Sequence, residues 1–375
     1  MQKRLNFFLI LIVFSFASNL FAQGEANIWY FGDHAGLDFN GGAPVALTDG
    51  ALNTPEGCAA ISNSSGALLF YTDGVTVWNK QHHPMPNGTG LMGDGSSTQS
   101  ALIVPKPGVQ DIYYVFTTSA FTSTINECNY SEIDMTLSGG MGDVTYNKNI
   151  SLSTNSSEKL CAVKKENNFD YWVIAHELNS SVFLVYSITS AGVNTSPVTS
   201  NAGSIVPKWG IGYLKASVNG RNLAQAIYGQ SGAVDVLKFN NYTGIISDNF
   251  SIQSGTAPYG VEFSPDGTRL YETTDMGMFI YQFDLTLGSS AAIIASSTII
   301  IPSDTINYHY DYALQLGPDG KIYVANFGNF LSCINNPNAL GSACGFVDFA
   351  IDLLGRTSNF SLPNFISSCF SSCSA

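Results

Sequence analysis

A few histidine, amide and aromatic residues that precede short apolar segments have the side chains best suited to bind a ligand in this chain. Imidazole can hold a metal or carry a proton, and aromatic rings combine a large apolar surface with a polar edge. Side chains of this kind form a binding surface when loops bring them to one face of a rigid scaffold. The residues predicted to line such a surface are His34, Gln99, His176, Trp209, Tyr259, His309 and Tyr310.

Several of these residues also have a structural interpretation. Trp209 and Tyr259 fit packing between neighbouring sheets as well as they fit contact with a ligand. The pair His82-His83 precedes Pro84 in a loop rich in Gly, Pro and Asn, which favours a solvated turn over a metal site. Ligand contact and packing therefore both stay open at the aromatic positions.

Oxygen ligands offer the sequence one route to catalysis. Glu56, Asn307, Asp311 and Asn359 stand near predicted strand ends and could together hold a divalent metal in a central channel. The chain carries neither a G-x-S-x-G nor an H-E-x-x-H motif to accompany them. The sequence therefore favours a binding or adhesion module without catalysis or cofactor, with an exported hydrolase or lactonase as the alternative.

Seven cysteines bear on redox state and on metal binding. Cys333 and Cys344 flank a turn-rich NNPN stretch that could bring them together, so we predict a disulfide between them. Cys369 could pair with Cys373 or reach Cys58. Because the cysteine count is odd, one thiol is left over or pairs between chains. No C-x-x-C pair is present, so a structural metal site is not predicted.

A repeated unit of short strands predicts the scaffold that positions these residues. The repeated unit has a short apolar strand, a polar turn, a strand with an aromatic residue near its start, another turn, and a third alternating strand. The second strands are marked by Trp29, Phe70, Tyr113, Trp172, Ala224, Tyr271 and Tyr323. Their spacings lie between 41 and 59 residues, close to the ~40–50 residues of a four-stranded propeller blade.

The two ends of the chain supply the parts that the repeat lacks. Residues 362–367 read as a first strand with nothing after it, whereas residues 27–31 and 35–39 read as second and third strands with nothing before them. Combining them closes a ring and removes two exposed sheet edges. We therefore predict an all-β, seven-bladed β-propeller whose last blade is closed by strands from both termini, with residues 23–375 forming one domain.

The first 22 residues predict export. Lys3 and Arg4 precede an apolar run and then Ala22, the pattern of a signal peptide, so the mature chain is expected to begin at Gln23. Cleavage changes the net charge from −13 to −15, because it removes two basic residues and no acidic one. Such a chain disfavours nucleic acid as a partner. No later apolar run is long enough to predict membrane insertion.

Several stretches together resemble a known family. The segments SSTQSALIVPKPG, ALLFYTDGVTVWNKQHHPMPNG, YGVEFSPDGTRLY and LQLGPDGKIYVA resemble the N-terminal propeller-like region of large secreted Bacteroidetes proteins. Those proteins carry PKD-type modules and a gliding-motility-associated sorting domain read by type IX secretion. The resemblance implies an extracellular or cell-surface module with a protein or glycan partner. The sequence stops at Ala375, so PKD-like and sorting modules are expected only in a longer chain.

Overall fold

Strands make up most of the regular structure in this computed structural model, which describes residues 24–229, 232–253, 257–274, 278–301 and 310–373. The predicted signal peptide, residues 1–22, lies outside the described residues, as do Asn307 and His309. Within the described residues the strands form seven small antiparallel sheets arranged as a ring, which confirms the predicted all-β, seven-bladed propeller.

The first four sheets follow one another along the chain. Sheet 1 contains β1 (Ile28–Phe31), β2 (Ala35–Asp38) and β3 (Val45–Leu47). Sheet 2 contains β4 (Ala59–Ser62), β5 (Leu68–Thr72), β6 (Thr76–Asn79) and β7 (Pro84–Thr89). Sheet 3 contains β8 (Ala101–Pro105), β9 (Ile112–Thr118), β10 (Cys128–Asp134), β11 (Asp143–Val144) and β12 (Ile150–Ser153). Sheet 4 contains β13 (Ser156–Lys164), β14 (Tyr171–Glu177), β15 (Ser180–Thr189), β16 (Gly192–Val193) and β17 (Val198–Val206).

The remaining three sheets have four strands each. Sheet 5 contains β18 (Leu214–Ala216), β19 (Asn222–Ile227), β20 (Ala233–Asn240) and β21 (Ile245–Ile252). Sheet 6 contains β22 (Val261–Phe263), β23 (Arg269–Thr274), β24 (Phe279–Asp284) and β25 (Thr298–Ile299). Sheet 7 contains β26 (Leu314–Leu316), β27 (Ile322–Ala325), β28 (Phe330–Ile334) and β29 (Phe346–Asp352).

The helices of the described residues are short and lie in the connections between strands or near the ends of the described chain. The α-helix α1 (Ser290–Ala295) begins after Ser289, whose hydroxyl accepts a hydrogen bond from the Ala292 N–H at 3.2 Å and so caps the helix. Short 3-10 helices span Gly24–Ala26, Gly341–Cys344 and Ser367–Cys373. Among the described residues, no helix has the length and apolar character needed to cross a membrane.

The side chains that mark the repeat pack between neighbouring sheets. Trp29 of β1 meets Tyr323 of β27 edge to face, with ring centroids 5.6 Å apart. Tyr30 contacts Tyr71 of β5 at 4.5 Å on the other side of sheet 1. These buried rings join sheet 1 to sheet 7 and to sheet 2, so the second strands supply much of the core between blades.

The two Pro-Asp-Gly segments form the predicted tight turns between first and second strands. Gly267 and Gly320 adopt φ angles of +71° and +77°, a conformation that glycine reaches at little cost. In the first turn, Asp266 Oδ1 accepts hydrogen bonds from the Thr268 N–H at 2.9 Å and from the Thr268 hydroxyl at 2.7 Å. The turn chemistry therefore fixes the register of the hairpin between β22 and β23.

Both ends of the chain meet at sheet 1, where the ring closes. An isolated antiparallel bridge joins Asp33 to Thr357, and the Asp33 N–H donates to the Thr357 carbonyl at 2.9 Å. Phe365 packs on Trp29 with ring centroids 5.7 Å apart. The N-terminal strands and the C-terminal residues thus close the last blade together.

The C-terminal residues differ from the prediction in their pairing. Residues 358–366, which we call the channel segment, lie against the first strands of several sheets and do not form the regular strand predicted at 362–367. The Asn364 N–H donates to the Cys58 carbonyl at 2.8 Å, and Asn364 Nδ2 donates to the carbonyls of Ala101 and Leu160 at 3.3 and 2.9 Å. Pro363 has no N–H to give to a ladder, and the donors of Asn364 bind sheets 2, 3 and 4.

The predicted Cys333–Cys344 disulfide is also absent from the structure. Both residues are free thiols and both are buried. Cys333 lies in β28, where its sulfur contacts Asn335 Oδ1 at 3.9 Å. Cys344 ends a 3-10 helix, and its thiol interacts with the Tyr271 hydroxyl of sheet 6. The 3-10 helix therefore directs the Cys344 side chain toward sheet 6 and away from Cys333. The turn residues between the two cysteines could not predict this direction.

Candidate functional site

One side of the ring, here called the upper face, collects two kinds of loop. They are the loops that lead into the first strand of each sheet and the loops that join second to third strands. Contacts between them are direct: Asp33, in the loop between β1 and β2, forms isolated bridges with Asn53 ahead of β4 and with Thr357. Loops from different sheets therefore meet on this face, as predicted for a ligand-binding surface.

Two carboxyl groups stand near the centre of the upper face. Glu158 Oε2 accepts hydrogen bonds from the Thr98 N–H at 2.9 Å and from the Thr98 hydroxyl at 2.7 Å, and its Oε1 accepts from the Phe121 N–H at 2.9 Å. Glu56 Oε2 accepts from the Tyr259 hydroxyl at 3.2 Å. Thr98 also interacts with Glu56, so a single threonine links the two acids.

The electrostatics of the two acids differ because their partners differ. Burial, reinforced by the nearby Glu158, raises the pKa of Glu56 to about 8, which leaves Glu56 mostly protonated at neutral pH. Burial also raises the pKa of Glu158, but its hydrogen bonds from Thr98 and Phe121 favour the ionised form. The two acids therefore lie close enough for their charges to interact, and only Glu158 accepts hydrogen bonds from backbone N–H groups.

Aromatic side chains extend from this pair in both directions across the upper face. On one side, the Phe121 ring meets the Trp209 ring at 5.3 Å, and Trp209 is 42% exposed. Lys208 Nζ lies 4.5 Å from the centroid of the Trp209 ring. This end of the face therefore presents an accessible indole that is held by a neighbouring ring and cation.

On the other side, a chain of ring contacts leads away from Tyr259. Tyr259 meets Tyr312 at 5.6 Å, Tyr312 meets Phe360 at 4.4 Å, and Phe360 meets Phe327 at 4.6 Å. Phe327 is 51% exposed and adopts a φ of +52° in the loop between β27 and β28, an uncommon conformation for a bulky residue. The backbone is therefore held in a strained form that places an aromatic ring at the surface.

These contacts define a continuous set that we call the upper-face array. Its members, in order of contact, are Trp209, Phe121, Glu158, Thr98, Glu56, Tyr259, Tyr312, Phe360 and Phe327. The predicted residues Trp209 and Tyr259 both belong to it, Tyr259 as a buried member whose hydroxyl reaches Glu56. Tyr310 is 55% exposed and lies two residues before Tyr312.

His34 lies on the same face, where contacts with its own turn and with the loop before β4 hold it in place. Its Nδ1 pairs with the carboxylate of Asp33, and its backbone has a φ of +59°. Its N–H donates to the Leu52 carbonyl at 2.9 Å. His34 is half-buried, so only part of its ring can face a ligand.

Two predicted ligand-binding residues are buried and serve the scaffold. Gln99 is fully buried: its Nε2 donates to the Leu214 carbonyl at 3.1 Å, and its Oε1 accepts from the N–H groups of Leu160 and Leu214 at 3.1 and 2.7 Å. His176 is fully buried beside Phe183 at 4.3 Å, and burial lowers the pKa of His176 to about 4. Neither side chain can therefore contact a ligand on the surface.

Charged and polar side chains fill the interior of the ring beneath the array. Lys159 Nζ donates to the carbonyls of Ile211 at 3.1 Å, Gly212 at 2.7 Å and Ala226 at 2.5 Å. In the same interior, Lys215 Nζ lies 3.4 Å from Glu262 Oε2. The three bonds of Lys159 supply a donor to carbonyl groups around the short strand β18, and the Lys215–Glu262 contact pairs two buried ionisable groups.

Sequence reasoning missed several of these residues. Glu158 and Lys159 are adjacent ionisable residues that precede the apolar LCAV stretch of one strand, and this unusual placement was the available signal for a buried role. Phe121 and Phe327 gave no such signal. Each is one of 24 phenylalanines, and only the folded loops bring these two to the upper face.

The structure describes Glu56, Asp311 and Asn359 of the four residues proposed from the sequence as metal ligands. Asn359 Nδ2 donates to the Thr54 carbonyl at 2.9 Å, and Glu56 is bonded to Tyr259. Asp311 is fully buried. Among the described residues, no group of three or more His, Cys, Asp or Glu side chains is placed to hold a metal ion.

Comparisons with known proteins show the fold alone. No protein-family model matches the chain, and no curated protein does. A functionally unknown protein from Desulfotomaculum acetoxidans aligns with a TM-score of 0.52 and 11% identity, over 91% of this chain and 99% of that one. A Lactobacillus plantarum protein aligns with a TM-score of 0.52 and 14% identity, over 90% of this chain and 99% of that one. A Bacteroides uniformis protein described as a candidate 6-phosphogluconolactonase aligns with a TM-score of 0.44 and 14% identity, over 75% of this chain and 78% of that one. At this TM-score the alignment supports no functional conclusion.

Proposed function

We propose that this protein is an extracellular or cell-surface binding module that holds its ligand on the upper face. The observation that carries the proposal is the upper-face array, which exposes an aromatic ring at each end, Trp209 and Phe327, and a half-buried acid, Glu56, near its centre. Apolar surface with a few placed polar groups is the usual composition of a binding site. The array also spans loops from several sheets, so a closed ring is needed to form it.

The chemistry of the array favours a neutral glycan over other ligands. Exposed rings can cover the apolar face of a sugar, and a protonated Glu56 can donate to a hydroxyl group that a carboxylate could only accept from. The net charge of −13 opposes anionic polymers. A protein partner would use the same rings as anchors and is the alternative outcome of the test.

Substitution of the exposed rings tests this proposal. Neutral oligosaccharides should be titrated calorimetrically against the folded protein, and against the Trp209→Ala and Phe327→Ala variants. We expect each variant to weaken binding at least tenfold, because each ring contributes contact area at the ligand. Tyr242→Ala is the matched control, since Tyr242 is an exposed aromatic in the turn between β20 and β21. Equal losses in the control, or no loss in either variant, would contradict the proposal.

Export rests on the N-terminal sequence and on the family resemblance. The signal-peptide pattern of residues 1–22 and the SSTQSALIVPKPG stretch both support secretion, with surface display if PKD-like and sorting modules follow in a longer chain. Intact mass of the exported protein should correspond to a chain that begins at Gln23. Recovery of Met1 in the exported protein would be inconsistent with this proposal.

A hydrolase is a second candidate, and one observation favours it. Burial raises the pKa of Glu56 to about 8, so Glu56 can donate a proton as a general acid, and a second carboxyl group, Glu158, lies close enough to interact with it. A panel of lactones and glycosides should be assayed with the protein and with Glu56→Gln. Turnover that disappears in Glu56→Gln, while Trp209→Ala retains measurable kcat, would support catalysis. Absence of turnover across the panel would leave binding as the function of this face.

A further inference from the structure

We propose that a cavity on the opposite side of the ring, here called the lower cavity, binds a short oligosaccharide that carries carboxylate groups. The cavity has a volume of about 670 Å³, within the range of about 300–1,000 Å³ that is usual for cavities that hold small ligands. Its wall is formed by the turn after β13, the turn before β19, and the residues that end β20 and begin β21. The cavity is separate from the upper-face array, and the inference does not depend on the proposed function.

The lower cavity is positively charged, although the chain as a whole is strongly negative. Among the described residues of its wall, Arg221 and Lys238 are cationic and Glu166 is the only acid. Both cations are exposed, and neither forms an ion pair within the described residues. At physiological salt, exposed charges more than about 8 Å apart are largely screened, so these cations outweigh the distant charges that make up the net −13. A guanidinium beside an ammonium attracts carboxylates.

The asparagine side chains of the wall also present donors. Asn219 Oδ1 accepts a hydrogen bond from the Arg221 N–H at 3.0 Å, and Asn240 Oδ1 accepts from two N–H groups of the turn that follows it, each at 3.1 Å. Asn222 Oδ1 accepts from Lys238 Nζ at 2.9 Å. These bonds fix the orientation of each amide, and within the described part of the chain none of the three Nδ2 groups has an acceptor. The wall therefore suits a ligand that is rich in acceptors.

A neighbouring cavity extends this surface along the lower side of the ring. It has a volume of about 390 Å³ and shares Asn219 and Asn241 with the lower cavity. Lys164 and Lys165 line this second cavity, and Lys165 Nζ is held 3.8 Å from the centroid of the Trp172 ring. Cations therefore follow one another along two adjoining cavities. This arrangement suits a ligand of several acidic units better than a single small anion.

A carboxylated sugar matches the wall better than an acidic peptide does. Sugar hydroxyls and carboxylates can accept hydrogen bonds from the amide groups, whereas each peptide unit brings an N–H that needs an acceptor. The oxygens of Asn219 and Asn240 already accept from N–H groups of the chain itself. Ile245 lines the cavity and is 51% exposed, so it can cover the apolar face of a sugar ring. Glu166 can accept from a sugar hydroxyl.

Two trisaccharides that differ in one group on each ring test the requirement for carboxylates. Trimannuronate carries a carboxylate on each ring, and β-1,4-mannotriose has the same rings and linkages with a hydroxymethyl group in its place. Both should be titrated calorimetrically against the purified protein and against Arg221→Gln. We expect Arg221→Gln to weaken trimannuronate binding at least tenfold, because the guanidinium contacts a carboxylate. Any binding of mannotriose should be the same in both proteins.

A second variant tests the donors, and each variant has a control of matched charge. Asn240→Asp keeps an oxygen for the N–H groups of its turn and replaces the Nδ2 donor with an acceptor, so it should weaken trimannuronate binding at least tenfold. Lys80→Gln removes the same charge as Arg221→Gln, and Asn53→Asp adds the same charge as Asn240→Asp. Both controls are at exposed positions outside the cavity lining and should bind trimannuronate as the unchanged protein does. Melting temperatures should show that all four variants are folded.

The proposal is overturned if trimannuronate does not bind, or if either Arg221→Gln or Asn240→Asp binds it as tightly as its control. It is also overturned if inorganic phosphate or hexaglutamate binds as tightly as trimannuronate, because a simple anion site or a peptide site would then account for the cations. Trp209→Ala, which alters the upper-face array, should bind trimannuronate normally. Failure of the proposed function and failure of this inference can therefore be told apart.

Discussion

Deletion of residues 360–375 should prevent the ring from closing, because the channel segment contacts the inner strands of several sheets. The Phe360 N–H donates to the Pro55 carbonyl at 3.0 Å, and Asn364 bonds to Cys58, Ala101 and Leu160. The deletion would remove all of these donors together. It would leave the Asp33–Thr357 bridge and the bond from Arg356 Nη2 to the Thr48 carbonyl at 2.9 Å as links between the C-terminal residues and sheet 1.

The expected loss of stability follows from the buried side chains that the deletion removes. Leu362, Phe365, Ile366 and Phe370 are each at most 7% exposed. Burial of such a side chain contributes roughly 1.5–3 kcal/mol, so the four contribute about 6–12 kcal/mol as an upper estimate. A typical domain is stable by about 5–15 kcal/mol in total. The truncated chain should therefore be largely unfolded or aggregated at 37 °C.

A point substitution tests the same contacts without shortening the chain. Asn364→Ala leaves the buried carbonyls of Ala101 and Leu160 without their side-chain donor, which should cost about 2–4 kcal/mol. At about 2 °C per kcal/mol for a protein of this size, the melting temperature should fall by about 4–8 °C. Asn53→Ala, at an exposed asparagine on the upper face, is the control and should change the melting temperature by less than about 1 °C.

Thermal unfolding followed by circular dichroism, together with light scattering after size exclusion, would measure both effects. A truncated protein that stays monomeric and melts with the full-length chain would refute the role of the channel segment. The same conclusion would follow if Asn364→Ala and Asn53→Ala melted together, because the hydrogen bonds to sheets 3 and 4 would then contribute nothing.

Three further predictions concern buried ionisable groups. Lys159→Met should lower stability by about 2–4 kcal/mol in urea unfolding, because three carbonyls lose their donor, whereas Lys80→Met, at an exposed lysine, should cost less than about 1 kcal/mol. The pKa of Glu56 is raised from 4.5 to about 8 on folding, so the folded state holds a proton that the unfolded state has released between these values. Stability should therefore fall as pH rises from about 4.5 to 8, and Glu56→Gln should flatten this dependence. Burial raises the pKa of the Cys333 thiol to about 12 and also raises that of Cys344. Both thiols should therefore resist a thiol reagent at pH 8 until the protein is unfolded. A linked Cys333–Cys344 peptide under non-reducing conditions would contradict the structure.

The repeat was readable in the sequence because it depends on local chemistry. Pro-Asp-Gly turns and alternating strands can be recognised within a few residues, and an aromatic side chain such as Trp29 or Tyr323 recurs in every second strand but the one marked by Ala224. The channel segment was placed correctly at the closure of the ring, but its pairing was not predictable. The bonds of Asn364 reach Ala101 and Leu160, which are more than 200 residues away in sequence, and nothing local specifies them.

The candidate site was predicted less well for a physical reason. Residues that lead into a first strand or end a second strand can point outward to a ligand or inward to the ring, and the residue type does not distinguish the two orientations. Gln99 and His176 point inward and are fully buried, whereas Trp209 and Tyr310 are exposed. A polar side chain suits either orientation. One that points outward can bind a ligand, and one that points inward can donate to the carbonyl groups that the short inner strands leave without a partner. Only the fold resolves which setting applies.

The channel segment also has a consequence for the order in which the chain acquires its structure. Its donors bind strands that were synthesised long before it, so the ring cannot be completed until the last part of the described chain has been made. Such long-range closure slows folding, since the entropy of a large loop is lost before its contacts form. During synthesis the earlier sheets remain without their central partner and can stay loosely assembled. The chain should therefore stay incompletely folded until its synthesis is nearly finished. A channel that transports unfolded polypeptides requires a chain in that state.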